Sequence, residues 1–240
     1  MTTPITSTTV LPAKREDISF ITSDGLTLVG EIASPLDQPP VATALFCHPL
    51  PTAGGFMDSH IIRKAAWRLP ALAQIAVFRF NFRGVSSPRG TSEGSFGEGV
   101  SEGLDLRAAL EEVEHHNLPA PWLIGWSFGT EVILKHAAGL TDRISGVILL
   151  SPPLHRTSEQ ELMAWRGCTV PVVALVPELD DYLPPGPAVQ RFAVAPSIEV
   201  IAAAGAKHLW VGEKQTRYVM EQITMRLNPA ALPLPETWSA

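Results

Sequence analysis

Trp122-Leu123-Ile124-Gly125-Trp126-Ser127-Phe128-Gly129-Thr130-Glu131 joins a short apolar run to residues that suit a helix. Within it, Gly125-Trp126-Ser127-Phe128-Gly129 fits G-x-S-x-G, the pattern of a sharp strand-to-helix turn that lifts a serine hydroxyl above the end of a sheet. Side chains at either end of so tight a turn would collide with neighbouring backbone, which is why glycine stands at both. Ser127 is therefore a candidate nucleophile. A serine hydroxyl is weak at neutral pH, so the chemistry also needs a base, a group to orient that base, and donors for an oxyanion.

The residues on either side of this stretch predict the sheet it belongs to. Asp17–Ile21 and Leu26–Ala33 are β-rich runs separated by Thr22-Ser23-Asp24-Gly25, a hairpin signal that makes the sheet begin antiparallel. Val41–Cys47 is apolar or small throughout, as for a strand covered on both faces. Met57–Leu72 has helical spacing and Ile75–Phe80 returns to strand character, giving a β-α-β unit. Phe82–Gly103 is rich in glycine and serine and reads as a long loop; it lacks the patterns of a phosphate-binding turn. Beyond it come a helix over Val100–Glu114, a strand over Trp122–Gly125, a helix over Ser127–Ala138 and a strand over Ser145–Ser151. Strands at Pro171–Val176 and Ser197–Ala202 follow, with a helix at Pro187–Ala193 between them and a last helix at Val211–Leu227. Strands alternating with helices predict one α/β domain over residues 1–240, a mostly parallel twisted sheet of about eight strands with helices on both faces. Residues 1–12 are expected to be a loose arm and residues 229–240 a Pro-rich tail.

Composition narrows the function classes. Of 240 residues, 45% are hydrophobic and 18% charged, which describes a globular core rather than disorder. A formal charge of -6 with scattered Lys and Arg argues against nucleic acid and against an electrostatic membrane patch. No apolar run has signal-peptide or membrane-spanning length, so a cytoplasmic location is expected. The two cysteines, Cys47 and Cys168, make neither a metal-ligand spacing nor a disulfide framework; no metal and no cofactor are expected.

In open α/β sheets ligands sit beyond the carboxyl ends of the strands. His48, Arg83, Ser127, Ser151, Asp180 and His208 each follow one of the apolar runs and should share that rim. Nucleophile, acid and base in the order Ser127, Asp180, His208 is a known arrangement of a hydrolytic triad, with Asp181 competing for the acid's place. His48 reads as structural, His115 and His116 as surface residues, and Asp58 and Asp105 as capping or ion-paired groups. Arg83 reads as a tie between loops.

Several segments separately resemble the α/β-hydrolase fold superfamily, and the likeness spans nearly the whole chain. They are His48-Pro49-Leu50-Pro51, Phe80-Asn81-Phe82-Arg83-Gly84, the Ser127 turn, Glu178-Leu179-Asp180-Asp181-Tyr182-Leu183-Pro184 and Ala206-Lys207-His208-Leu209-Trp210. The chain is most similar to small, cap-poor serine hydrolases with a His-Pro-x-Pro loop followed by Gly-Gly and Met, here Gly54-Gly55-Phe56-Met57. It departs from them in carrying Leu50 where a second histidine is common, and Ser59-His60 where Asn-Lys is common.

The resemblance favours Asp180 over Asp181 and implies a serine esterase acting on a small-molecule acyl substrate. A thioesterase, an exopeptidase or a non-catalytic ligand receptor is the alternative. The oxyanion donors are expected to be the backbone N–H groups of Phe128, after the nucleophile, and of Leu50, the one N–H between Pro49 and Pro51. Trp126, Trp210 and His60 are the candidate substrate-binding residues. The alternative is ordinary core packing for the tryptophans and a helix-surface position for His60. The connection Pro152–Gly167 holds at most one small helix (Ser158–Trp165), which leaves little or no cap over the cleft.

Overall fold

The computed structural model describes residues 2–239; Met1 and Ala240, the outermost residues of the expected arm and tail, lie outside the described residues. In chain order the elements are β1 (Thr2–Pro4), β2 (Lys14–Ile21), β3 (Thr27–Ser34), β4 (Ala42–Cys47), α1 (His60–Ala73), β5 (Ile75–Phe80), β6 (Ser86–Ser87), β7 (Gly90–Thr91) and α2 (Glu102–His115). Then follow β8 (Pro121–Trp126), α3 (Phe128–His136), β9 (Gly146–Leu150), α4 (Glu159–Met163), β10 (Val172–Pro177), α5 (Pro185–Phe192), β11 (Ile198–Ala203), α6 (Glu213–Leu227) and β12 (Thr237–Ser239).

Eight strands form one sheet in the order β11-β10-β9-β8-β4-β5-β3-β2. The six from β11 to β5 run parallel, while β3 is antiparallel to both β5 and β2, so the sheet starts with the expected hairpin. Strands β4, β5, β8, β9 and β10 are buried at every position, the physical reason their sequences are near-continuous apolar runs.

Side chains alternate between two cores. Leu45, Leu123 and Leu149 face one side, with α2, α3 and α5, through residues such as Leu106, Val132 and Phe192. Phe46, Ile124 and Ile148 face the other, against α1 and α6, through residues such as Ile61, Leu69 and Val219. This two-sided burial fixes strand register, because a one-residue slip would exchange the faces.

Two segments differ from the sequence expectation. The arm is not loose: β1 pairs antiparallel with β12 of the Pro-rich tail, Thr3 opposite Trp238. The Leu11 N–H donates to the Trp67 carbonyl and Arg68 Nη2 to the Thr6 carbonyl at 2.6 Å, tying the arm to α1. Local composition carries no trace of a pairing between the two ends of the chain. The Gly-rich loop also contains a small hairpin of β6 and β7, too short for periodicity to reveal.

Candidate active site

The turn at Ser127 is built by two close approaches. A Cβ at Gly125 would stand 2.6 Å from the Thr130 nitrogen, and one at Gly129 would stand 2.1 Å from the Cys47 carbonyl oxygen. Only glycine lets β8 turn so sharply into α3 against the end of β4. Ser127 itself takes φ 52° and ψ −118°, a left-handed conformation that costs about 1–3 kcal/mol in a non-glycine residue. The strain is held by the Ser127 N–H donating to Leu150 O at 2.9 Å and the Thr130 N–H donating to Ser127 O at 2.9 Å.

The carboxyl ends of β8, β10 and β11 bring three side chains together across the sheet. Ser127 Oγ lies 2.9 Å from His208 Nε2, and His208 Nδ1 lies 2.9 Å from Asp180 Oδ2 and 3.1 Å from Oδ1. The Asp180 carboxylate accepts a hydrogen bond from Nδ1–H, which leaves Nε2 as an acceptor for the serine hydroxyl. Asp180 Oδ1 also accepts the Tyr182 N–H at 2.8 Å and the Leu183 N–H at 3.3 Å. Burial alone would raise the Asp180 pKa; the hydrogen bonds from His208, Tyr182 and Leu183 outweigh it and hold the carboxyl below its usual range. Asp181 is exposed and stands outside this network. The Tyr182 ring packs edge-on against His208 at 4.5 Å between centroids.

On the opposite side of Ser127 stands the loop after β4. His48 is buried there; its Nδ1 donates to the Pro49 carbonyl at 2.7 Å and its Nε2 accepts the Phe82 N–H at 3.0 Å. Acceptance at Nε2 requires the neutral ring, and burial lowers the His48 pKa to about 4. His48 is thus a fastener of the loop, the structural role expected of it. Gly55 closes the loop by donating to the Leu50 carbonyl at 2.9 Å, and a Cβ there would sit 2.2 Å from the Pro49 oxygen. Neither the Leu50 nor the Phe128 N–H has a protein acceptor among the described residues.

The three residues expected to bind substrate are placed elsewhere. Trp126 and Trp210 are buried in the core facing α1 and α6, on the sheet face away from the cleft. Trp126 shares its strand face with Trp122 and Ile124, so the alternation of β8 turns it from the Ser127 side. Its Nε1 donates to the His208 carbonyl at 3.2 Å, and Ser151 Oγ donates to the same oxygen at 2.9 Å. His60 Nε2 donates to the Leu209 carbonyl at 2.6 Å, with its ring against Trp126. Trp126, Ser151 and His60 therefore clamp the backbone that presents His208, and Trp210 stacks on Tyr218. The clamp is a role that sequence reasoning missed.

Arg83, Asp58 and His136 make structural contacts. Arg83 donates to Asp105 at 2.7 and 2.9 Å and to Asp24 at 2.9 and 3.2 Å, tying loops as expected. Asp58 is ion-paired with Arg79, and His136 donates through Nε2 to the Gly99 carbonyl at 2.8 Å.

A cavity of about 150 Å³ opens beside Ser127, lined by Leu50, Phe128, Glu131, His155, Tyr182 and His208 among others. Grooves of about 540 and 320 Å³ contain none of the residues of this site, whereas one of about 290 Å³ adjoins it at His208 and Leu209. The β9–β10 connection carries only the five-residue α4, with a Ser158–Glu161 capping box, and no lid domain. Among the described residues no group of three or more His, Cys, Asp or Glu side chains is placed to hold a metal ion, and no helix is long and apolar enough to cross a membrane.

No family model matches the chain. It is similar to an uncharacterised protein, RP471, of Rickettsia prowazekii, 29% identical over 136 residues that cover 56% of this chain and 55% of that protein. The chain thus spans about half the length of the curated relative it matches. Among solved structures it is similar to an alpha-beta serine hydrolase homologue from Coxiella burnetii, with TM-score 0.73 and 26% identity over 87% of this chain and 95% of that one. It is also similar to XC6422 from Xanthomonas campestris, described as an α/β serine hydrolase without lid, with TM-score 0.72 and 26% identity over 94% and 99% of the two chains. Sheet order, a minimal β9–β10 connection and these likenesses agree: the chain has the α/β-hydrolase fold in its lid-less form.

Proposed function

We propose that the chain is a serine hydrolase that cleaves carboxylic esters of small or exposed acyl groups through an acyl-enzyme. The observation that carries the reading is the unbroken relay of 2.9 Å contacts from Ser127 Oγ through His208 to Asp180. Ser127 Oγ attacks the ester carbonyl while His208 Nε2 takes its proton, and Asp180 stabilises the imidazolium. The oxyanion is held by the N–H groups of Phe128 and Leu50, which have no protein acceptor among the described residues. His208 then gives the proton to the departing alkoxide. In the second half-reaction it activates water against the acyl-Ser127 ester, releasing the acid and restoring the serine.

A cavity of about 150 Å³ is small beside the roughly 300–1,000 Å³ of drug-sized sites, which supports short acyl groups. The serine hydrolase descriptions of the Coxiella and Xanthomonas structures support the reaction class. The test is turnover of p-nitrophenyl acetate beside matched thioester and aminoacyl amide substrates, for wild type and Ser127→Ala. Ester turnover lost in Ser127→Ala with an unchanged melting temperature is the expected result. Preference for the thioester or amide would redirect the assignment, and undiminished turnover in Ser127→Ala would overturn it.

A further inference from the structure

The mechanism leaves one buried carboxyl of the cavity unused. Glu131 lies four residues beyond Ser127, one turn along α3 and on the same face of the helix, and it lines the cavity with Leu50, Phe128 and His208. It is 1% exposed. One carboxyl oxygen, Oε1, accepts the Arg156 N–H, whereas Oε2 is buried with no hydrogen-bond partner among the described residues. A buried polar atom without a partner is costly, and in a residue that lines a binding cavity it points to a ligand group that completes it.

We propose that Glu131 forms the inner end of an acyl subsite that selects acyl chains bearing a hydroxyl group; this rests on the hydrolase reading above. The surroundings choose the hydroxyl over a cation. Arg156 and His155 line the cavity, and Lys135, from the same helix, donates to Glu161 at 2.6 Å and to the Arg156 carbonyl at 3.0 Å. Three basic side chains gathered around Glu131 disfavour an incoming ammonium. A hydroxyl both donates and accepts, so it satisfies Oε2 whether the carboxyl is ionised or protonated. Burial pushes the Glu131 pKa up, against the opposing pull of Arg156, His155 and Lys135. The rise of one helical turn, about 5–6 Å, places the hydroxyl on the second or third carbon from the reacting carbonyl.

The experiment compares kcat/KM for p-nitrophenyl 3-hydroxybutyrate and p-nitrophenyl butyrate in wild type, Glu131→Gln and Glu131→Leu. Because each protein is judged on the ratio of two substrates, an incompletely folded fraction cancels. Wild type should favour the hydroxy ester by roughly tenfold, the worth of one buried hydrogen bond. Glu131→Gln, which keeps a donor and an acceptor, should retain most of the preference, and Glu131→Leu should bring the ratio close to one. A wild-type ratio near one, or a preference that survives in Glu131→Leu, would overturn the subsite and leave Oε2 to an ordered water. Turnover of neither ester by wild type would instead overturn the hydrolase reading, and the subsite with it.

Discussion

Lowering the pH from about 7.5 to about 5 should destabilise the folded chain by about 2 kcal/mol through His48 alone. The ring is fully buried, and each nitrogen is committed: Nδ1 donates to Pro49 O and Nε2 accepts from Phe82 N–H. A second proton would leave the Phe82 N–H facing a donor in a fully buried site. Burial accordingly takes the His48 pKa from 6.5 to about 4, against a smaller opposing effect of the Pro49 hydrogen bond. Since the folded pKa lies below the unfolded one, the unfolded chain binds more protons between those limits. Stability is full above about 6.5, falls as the pH drops, and levels off below about 4, for a total near 3 kcal/mol. The assay is urea unfolding across this range for wild type and His48→Gln, whose amide can still accept from Phe82 but does not titrate. The wild-type curve should fall more steeply than that of the variant, and ester turnover should fail together with the loop. Parallel curves would refute the reasoning, because they would mean that His48 is readily protonated in the fold.

Other perturbations test the parts separately. Ser127→Gly should abolish ester turnover yet raise the melting temperature by about 2–4 °C, because relief of the φ 52° strain outweighs the added chain entropy; differential scanning calorimetry reads this. Gly55→Ala should displace Pro49 and Leu50, since the new methyl group would stand 2.2 Å from the Pro49 oxygen, and kcat should fall about 10²–10³-fold with KM less affected. Asp180→Asn should lower kcat by about 10⁴ by favouring the wrong His208 tautomer, with circular dichroism unchanged.

The parts of the fold visible in the sequence are those encoded locally. Strands buried on both faces are written as apolar runs, and the Ser127 turn demands glycine at two positions where backbone passes backbone. Ser127, Asp180 and His208 were legible as neighbours because each stands just beyond a strand and parallel strands gather such positions on one rim, while the choice of Asp180 over Asp181 came from the resemblance. The tryptophans were harder to place, since being next to Ser127 or His208 in sequence says nothing about sheet face. The alternation Trp122, Ile124, Trp126 does carry that signal. Glu131 was hidden for another reason: a glutamate in a first helical turn ordinarily reads as a dipole partner, and only the packing of Arg156 and Phe128 around it makes it an internal group. The pairing of β1 with β12 depends on contact between distant segments and leaves no local mark.

In the proposed mechanism His208 makes Ser127 nucleophilic. The most direct measurement of this activation is intact-mass analysis after exposure to a fluorophosphonate probe, with the modified peptide located by fragmentation. Wild type should gain one adduct at Ser127, Ser127→Ala none, and His208→Ala a much slower addition at Ser127. A folded wild-type chain that stays unlabelled, or one labelled at another residue, would contradict the account.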